Sequence, residues 1–138
     1  MDLAQSISII MTKNVKTIHV EESLYDAKST MLKHQIRHLP VVNGKKLIGI
    51  LSLTDIMRLS FGQVFVGEEQ TDQAMMDLMT IEHVMREHPK TINVSNSIAE
   101  VADIFIKEEF HALPVVDGEN LAGIITTTDM IKFFVTNY

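Results

Sequence analysis

The chain repeats itself. Slid along itself by 74 residues, positions 10–57 fall on 84–131 with 17 of 48 pairs identical and no gap. Met11 meets Met85, and Lys16-Thr17-Ile18 meets Lys90-Thr91-Ile92. Leu39-Pro40-Val41-Val42 meets Leu113-Pro114-Val115-Val116, Gly49-Ile50 meets Gly123-Ile124, and Thr54-Asp55 meets Thr128-Asp129. Ile7 falls on Ile81 in the same register. Whatever one copy folds into, the chain contains twice, and that limits its architecture more than any local signal. The expected organisation is a first unit over residues 1–60, a joining stretch over 61–79, and a second unit over 80–138. The joining stretch starts as an acidic spacer with two glycines and ends in a Met-rich helix carrying Ala74, Met75, Leu78 and Met79.

Each copy reads as β-α-β-β-α. Thr17–Val20 and Thr91–Val94 are short β-favouring runs. Ser23 and Ser97 read as helix N-caps. Ser97 has Glu100 three residues on, a capping box, and Ser23 has Asp26, a shorter-armed version. The second helix carries Ile98, Val101, Ala102, Phe105 and Ile106 at helical spacing, and the first carries Leu24, Ala27, Met31 and Leu32. Asn43-Gly44 and Asp117-Gly118 lie between apolar runs, the pattern of a two-residue type I′ hairpin. Pro40 and Pro114 are placed at strand starts, where a missing N–H costs little. Leu47–Leu51 and Leu121–Ile125 return, and the closing helices are expected over Ile56–Leu59 and Met130–Val135. The fold class is therefore mixed α+β, with two pseudo-symmetric units packed as one module. A single copy has too little apolar surface to stand alone, so one shared core is expected.

Composition removes several function classes. A formal charge of −6 and the lack of any Lys/Arg run leave no cationic footprint for nucleic acid. Cysteine is absent, which excludes disulfides, thiol nucleophiles and the common structural zinc sites. The six histidines form no His-Glu-x-x-His or His-x-His pair, so no metal site is expected. Neither glycine-rich phosphate-loop pattern occurs. No carboxylate pair, nucleophile–base pair or metal set argues for catalysis, and no enzyme is expected. With no basic leader and no apolar run long enough to span a bilayer, membrane insertion is not expected and the cytoplasm is the default compartment.

The order and duplication of three blocks resemble a tandem pair of CBS domains, regulatory modules named after cystathionine β-synthase. The blocks are Met11-Thr12-Lys13-Asn14-Val15, the Leu-Pro-Val-Val run ahead of its Asn-Gly or Asp-Gly turn, and Gly49–Ile56 with its counterpart Gly123–Met130. The resemblance covers essentially the whole chain. It implies clefts between the two units for adenosine ligands such as AMP, ADP or ATP, with no cofactor required. In nucleotide-binding relatives an Asp at the start of the closing helix holds the ribose hydroxyls with help from nearby Ser and Thr. Carried over, that implies Ser52, Thr54 and Asp55 in one site, and Thr126, Thr128 and Asp129 in the other. Backbone around Lys16-Thr17 and Arg37-His38, and around Lys90-Thr91 and His111-Ala112, would flank the adenine. Arg37, His38 and His111 occupy positions from which basic side chains reach phosphate in some relatives. The resemblance also implies a homodimer formed through helices, with Met57, Leu59, Met130, Phe133 and Phe134 as candidate contacts, and an unidentified regulated protein.

The chemistry stands without the family. One carboxylate can accept a charge-assisted hydrogen bond from each of two vicinal hydroxyls. Free N–H groups at a helix start favour an anion. Arg37 offers a planar fork suited to phosphate, and histidines offer a pH-dependent donor. The alternative is plain capping: Thr54-Asp55 and Thr128-Asp129 are also good N-cap residues, and Arg37-His38 reads equally as a solvated helix end. The two uses are compatible. A structural dimerisation or adaptor module that binds no nucleotide is the competing function.

Overall fold

The computed structural model describes residues 1–61 and 76–138. The spacer at 62–75, with Ala74 and Met75 of the expected Met-rich helix, lies outside the described residues. Residues 76–78 are helical, with Met76 buried and Leu78 exposed.

The chain divides into two compact units, one of residues 16–88 and one of residues 1–15 with 89–138. The first contains β1 (Ile18–His19), α1 (Leu24–His34), β2 (His38–Asn43), β3 (Lys46–Ser52) and α2 (Leu53–Phe61), then α3 (Ile81–Val84) and β4 (Arg86–Glu87). Strand β1 runs parallel to β2, β2 antiparallel to β3, and β3 antiparallel to β4. The second unit contains a 3₁₀ turn (Ile7–Ile9), β5 (Ile92–Asn93), α4 (Ile98–Lys107), β6 (Ala112–Asp117), β7 (Asn120–Thr126) and α5 (Thr127–Asn137). Strands β5 and β6 are parallel, and β6 and β7 antiparallel. Where β4 lies on β3 in the first unit, Thr12 bridges Ile124 in the second, with backbone bonds of 2.9 and 3.1 Å.

The unit of packing is thus displaced from the unit of repetition. The segment leading into the second copy, Ile81–Glu87, packs with the first copy's strands, and the segment leading into the first copy packs with the second's. The cores show the same exchange. The first cluster contains Ile18, Leu24, Ala27, Leu39, Val41, Leu51 and Ile56, and adds Ile81. The second contains their counterparts Ile92, Ile98, Val101, Leu113, Val115, Ile125 and Met130, and adds Ile7. One shared core was the sequence expectation. Each unit instead has its own buried cluster, because the imported segment supplies the apolar cover that a single copy lacks. Close approach fixes the import: a Cβ on Gly49 would lie 2.5 Å from Met85 Sδ, and one on Gly123 2.7 Å from Met11 Sδ.

Local structure follows the sequence with instructive departures. Both capping boxes form: Ser23 Oγ accepts from Asp26 N–H at 3.0 Å, and Ser97 Oγ from Glu100 N–H at 3.1 Å. The remaining free N–H groups at the start of α4 are taken by the imported segment, Ile98 N–H by the Gln5 carbonyl and Ala99 N–H by that of Leu3, each at 2.9 Å. Leu32 and Ile106 are exposed, at 58% and 81%, instead of facing a core. Each stands eight residues after its helix's first core residue, about 80° round the helix, and so leaves the apolar stripe. The hairpin turns shift by one residue. Asn43 stays in the ladder opposite Lys46, and the two-residue loop is Gly44-Lys45. Of that loop only Gly44 has a positive φ, +65°, which is the type II′ pattern and not I′. Gly118 repeats it at +66°. Pro40 and Pro114 are third in their strands, not first. Val42 turns its carbonyl toward the β1 side, accepting from Val20 N–H at 3.0 Å. Pro40, two residues earlier, points the same way, ahead of where β1 begins to pair, so no ladder bond is lost. The closing helices are longer than expected at both ends, and the candidate site residues Asp55 and Asp129 lie in their first turns.

Candidate functional site

The first candidate site is assembled where β3 runs into α2. Ser52 Oγ accepts the Asp55 N–H at 3.0 Å, satisfying one donor of the new helix. The second is built alike: Thr126 Oγ1 accepts the Asp129 N–H at 3.1 Å. The capping hydroxyls are therefore Ser52 and Thr126, and neither Thr54-Asp55 nor Thr128-Asp129 supplies the cap itself. The sequence expectation sat two to three residues late, because Ser-x-x-Asp and Thr-x-x-Asp are the same box read correctly at Ser23. Each Asp takes the third helical position, and Thr54 and Thr128 are exposed one residue before it.

Pairing in the sheet brings the other residues to the same end. His38 lies opposite Ser52, and the Arg37 carbonyl accepts the Leu53 N–H at 2.8 Å. Ala112 lies opposite Thr126, and the His111 carbonyl accepts the Thr127 N–H at 3.0 Å. Parallel pairing sets Ile18 opposite Val41 and Ile92 opposite Val115. Lys16-Thr17 and Lys90-Thr91 therefore run up to the strand ends where His38 and Ala112 sit. Lys16, Thr17, Arg37, Lys90 and His111 are exposed, His38 and Thr91 half-buried, and Ala112 buried. At Asp55, two side chains from outside this set also reach the carboxylate.

Those residues are Arg58 and Arg86. Arg58 Nη1 donates to Asp55 Oδ1 at 3.3 Å, and Arg86 Nε stands 3.6 Å from Asp55 Oδ2. The Asp55 side chain is only 14% exposed, against 68% for Arg58 and 66% for Arg86. Oδ2 is buried and accepts no hydrogen bond, since 3.6 Å is beyond bonding distance. At the second site the geometry differs. Asp129 Oδ2 accepts the Thr126 N–H at 2.9 Å and closes a reciprocal capping box. Arg58 was legible in principle, three residues after Asp55 on one helix face. Arg86 reaches Asp55 only through the exchanged segment, and no local pattern announces it.

Among the described residues, no helix is long and apolar enough to cross a membrane. No group of three or more histidine and carboxylate side chains is placed to hold a metal ion there either.

Comparison with known proteins places the chain in a family. A family model of the CBS domain matches residues 5–62 and again 81–136. The protein MJ1225 of Methanocaldococcus jannaschii is 31% identical over 137 residues, covering 97% of this chain and 49% of its own length. Its crystal structure superposes with a TM-score of 0.83. The CBS domain pair of protein MJ0100, crystallised with 5′-methylthioadenosine and S-adenosyl-L-methionine, matches with a TM-score of 0.80 at 27% identity, covering 98% of this chain and 99% of that one. CBSX2 in complex with AMP, at 20% identity and a TM-score of 0.78 over 95% of this chain and 96% of that one, shares the fold. The chain spans half or less of the length of several curated relatives. With both copies of the repeat matched in sequence and the fold shared with solved CBS pairs, the chain belongs to the CBS domain family.

Proposed function

We propose that this chain is a non-catalytic regulatory module that binds adenosine ligands of the AMP, ADP or ATP type, with Asp55 and Asp129 holding the ribose hydroxyls. The observation that carries the reading is the Asp55 carboxylate, largely buried yet with an oxygen that accepts no hydrogen bond. A buried carboxylate oxygen left without a donor is costly, and a ribose hydroxyl is a donor of the right kind. The adenosine ligands of the MJ0100 pair and the AMP of CBSX2 agree with this class. Binding would bias the arrangement of the chain and be read by a regulated protein.

The same reading includes a homodimer through the closing helices. Met130 is buried in its own unit's core, whereas Leu59, Phe133 and Phe134 are half-buried against the cores and keep part of their surface for a partner. Met57 and its repeat counterpart Ile131 are exposed, as are Leu32 and Ile106.

Thermal melting with AMP and ATP tests the ligand. A ligand that binds only the folded chain stabilises it by about 2.7 kcal/mol at a hundredfold excess over its dissociation constant. The variant Asp55→Ala/Asp129→Ala should lose that shift. An undiminished shift in the variant defeats the ribose role, and no shift with any adenine nucleotide in the parent leaves the adaptor reading in its place.

A further inference from the structure

The repeat makes the two candidate sites directly comparable, and the comparison shows a difference in charge. Arg58 and Arg86 reach Asp55, and Arg37-His38 pair by backbone with the Ser52-Leu53 corner; the four repeat counterparts of Arg37, His38, Arg58 and Arg86 are His111, Ala112, Lys132 and Thr12. Two of the arginines already converge on the Asp55 carboxylate. Among the described residues no ion pair reaches Asp129, whose Oδ2 is engaged by Thr126 N–H. We propose that the two sites take ligands of different charge: the Asp55 site a nucleoside carrying a 5′-phosphate, the Asp129 site a nucleoside without one. This rests on the ribose role proposed above and goes beyond it by assigning a ligand class to each site.

The argument is one of exchange. A ribose diol that takes both Asp55 oxygens competes with Arg58 at Oδ1 and comes between Oδ2 and the Arg86 guanidinium 3.6 Å away. Both arginines are two-thirds exposed, so a displaced guanidinium keeps its contact with water. A neutral nucleoside leaves the displaced cations with no anion nearby. A 5′-phosphate gives each of them one, in the bidentate geometry that arginine favours. The arginines thus act as specificity residues, holding the carboxylate until a ligand supplies a replacement anion. At Asp129 the group a diol must displace is a backbone N–H, whose loss is the same for charged and uncharged ligands. The backbone at Thr12 is already committed to Ile124, and its side chain carries no charge.

Calorimetric titration of the full chain with AMP and with adenosine tests this. The variant R58Q/R86Q should weaken AMP by about tenfold or more while changing adenosine by less than about threefold. R58K/R86K, which keeps the charges, should recover most of the loss. AMP binding should survive D129N and be lost in D55N, with adenosine showing the reverse. Raising ionic strength from low to moderate should weaken AMP more than adenosine. Unchanged AMP affinity in R58Q/R86Q, or AMP binding that survives D55N and is lost in D129N, overturns the charge assignment while leaving the adenosine reading intact. If the parent binds neither compound, both readings fall together.

Discussion

Asp55 and Asp129 occupy one position of a duplicated unit, follow the same type of capping hydroxyl and begin the same helix. Their carboxylates nevertheless have different partners. Asp129 turns back to its own helix and completes a reciprocal box with Thr126. Asp55 leaves the Ser52 N–H and turns to Arg58 and Arg86. The box needs only local residues, so it is the default for the motif. What overrides it is a cation delivered by a distant segment, since position 86 is Arg where position 12 is Thr. A carboxylate at a helix start is thus committed to the helix or held in reserve according to what the neighbouring strand presents. The exchange of lead-in segments decides which strand that is.

The largest expected effect tests the exchange itself. Residues 16–88 retain Ile81, Met85 and β4, whereas residues 1–60 lose all three and keep a lead-in segment that belongs to the other unit. By circular dichroism, the 16–88 fragment should melt cooperatively and the 1–60 fragment should show no sharp transition. A cooperative melt of 1–60 as a monomer would mean that the imported segment is dispensable.

Next come matched cuts in the two cores. Leu39 and Leu113 are both fully buried at equivalent strand positions. Truncating either to Ala should cost about 2–5 kcal/mol by urea denaturation. If the units are energetically alike, the two values should agree to within about 1 kcal/mol. The glycine contacts separate the units more finely. Gly49→Ala and Gly123→Ala should each cost about 1–3 kcal/mol by overpacking. Gly123→Ala should cost more, because its Cβ would also lie 2.8 Å from the Thr12 carbonyl, against 3.0 Å from that of Arg86 at Gly49. Met85→Ala should therefore rescue Gly49→Ala more fully than Met11→Ala rescues Gly123→Ala, because trimming a side chain does not move a backbone oxygen.

Smaller again is the ligand-free effect of the two aspartates. Asp129→Ala removes a bond to the helix-start backbone and should cost about 1 kcal/mol, a few degrees in Tm. Asp55→Ala removes two long contacts to exposed arginines and also the burden of a buried oxygen without a donor, so its cost should stay below about 0.5 kcal/mol. Equal losses would mean that Asp55 caps its helix in solution as Asp129 does.

Much of this was legible in the residues. The repeat, the β-α-β-β-α order, the Ser23 and Ser97 caps and the buried helix positions Leu24, Ala27, Met31, Ile98 and Val101 all follow from spacing. They rest on interactions within a few residues or on one helix or strand face. The failures share a different cause. Ile7 and Ile81 swap units, Met11 and Met85 fill notches made by glycines far along the chain, and Arg86 meets Asp55 across a strand pair. None of these has a local signature. Leu32 and Ile106 were misplaced for a simpler reason: a stripe extended by eight residues has already turned toward solvent. The capping residue of the closing helix was available in the sequence and was missed by reading Thr-Asp as the cap instead of the hydroxyl ahead of it.

The smallest effect concerns the two first helices, whose caps share a design and differ in support. At α4 the Glu100 carboxylate accepts the Ser97 N–H at 3.1 Å and the Asn96 side-chain amide at 2.8 Å. At α1 the corresponding Asp26 bond to Ser23 N–H is longer, 3.4 Å, and position 22 is a glutamate, which has no amide donor to offer. The Asn96 amide first, and the Ser97 N–H second, hold the Glu100 carboxyl below its ordinary range. A carboxyl held low in the folded chain takes up its proton more readily when the chain is unfolded. The stabilisation it gives is therefore complete above the ordinary glutamate value of about 4.3 and is lost as pH falls through the lower folded value. Glu100→Gln keeps the shape and an acceptor oxygen but not the charge. Its Tm should lie slightly below that of the parent at pH 7, and the gap should close as the solution is taken well below pH 4.3. Asn96→Ala should shrink the gap at pH 7 and move the Glu100 carboxyl, followed by carbon-13 NMR, back up toward its ordinary value. A gap that stays constant from neutral to acid would show that the charge of Glu100 plays no part in holding the helix start, and that the two caps differ in geometry alone.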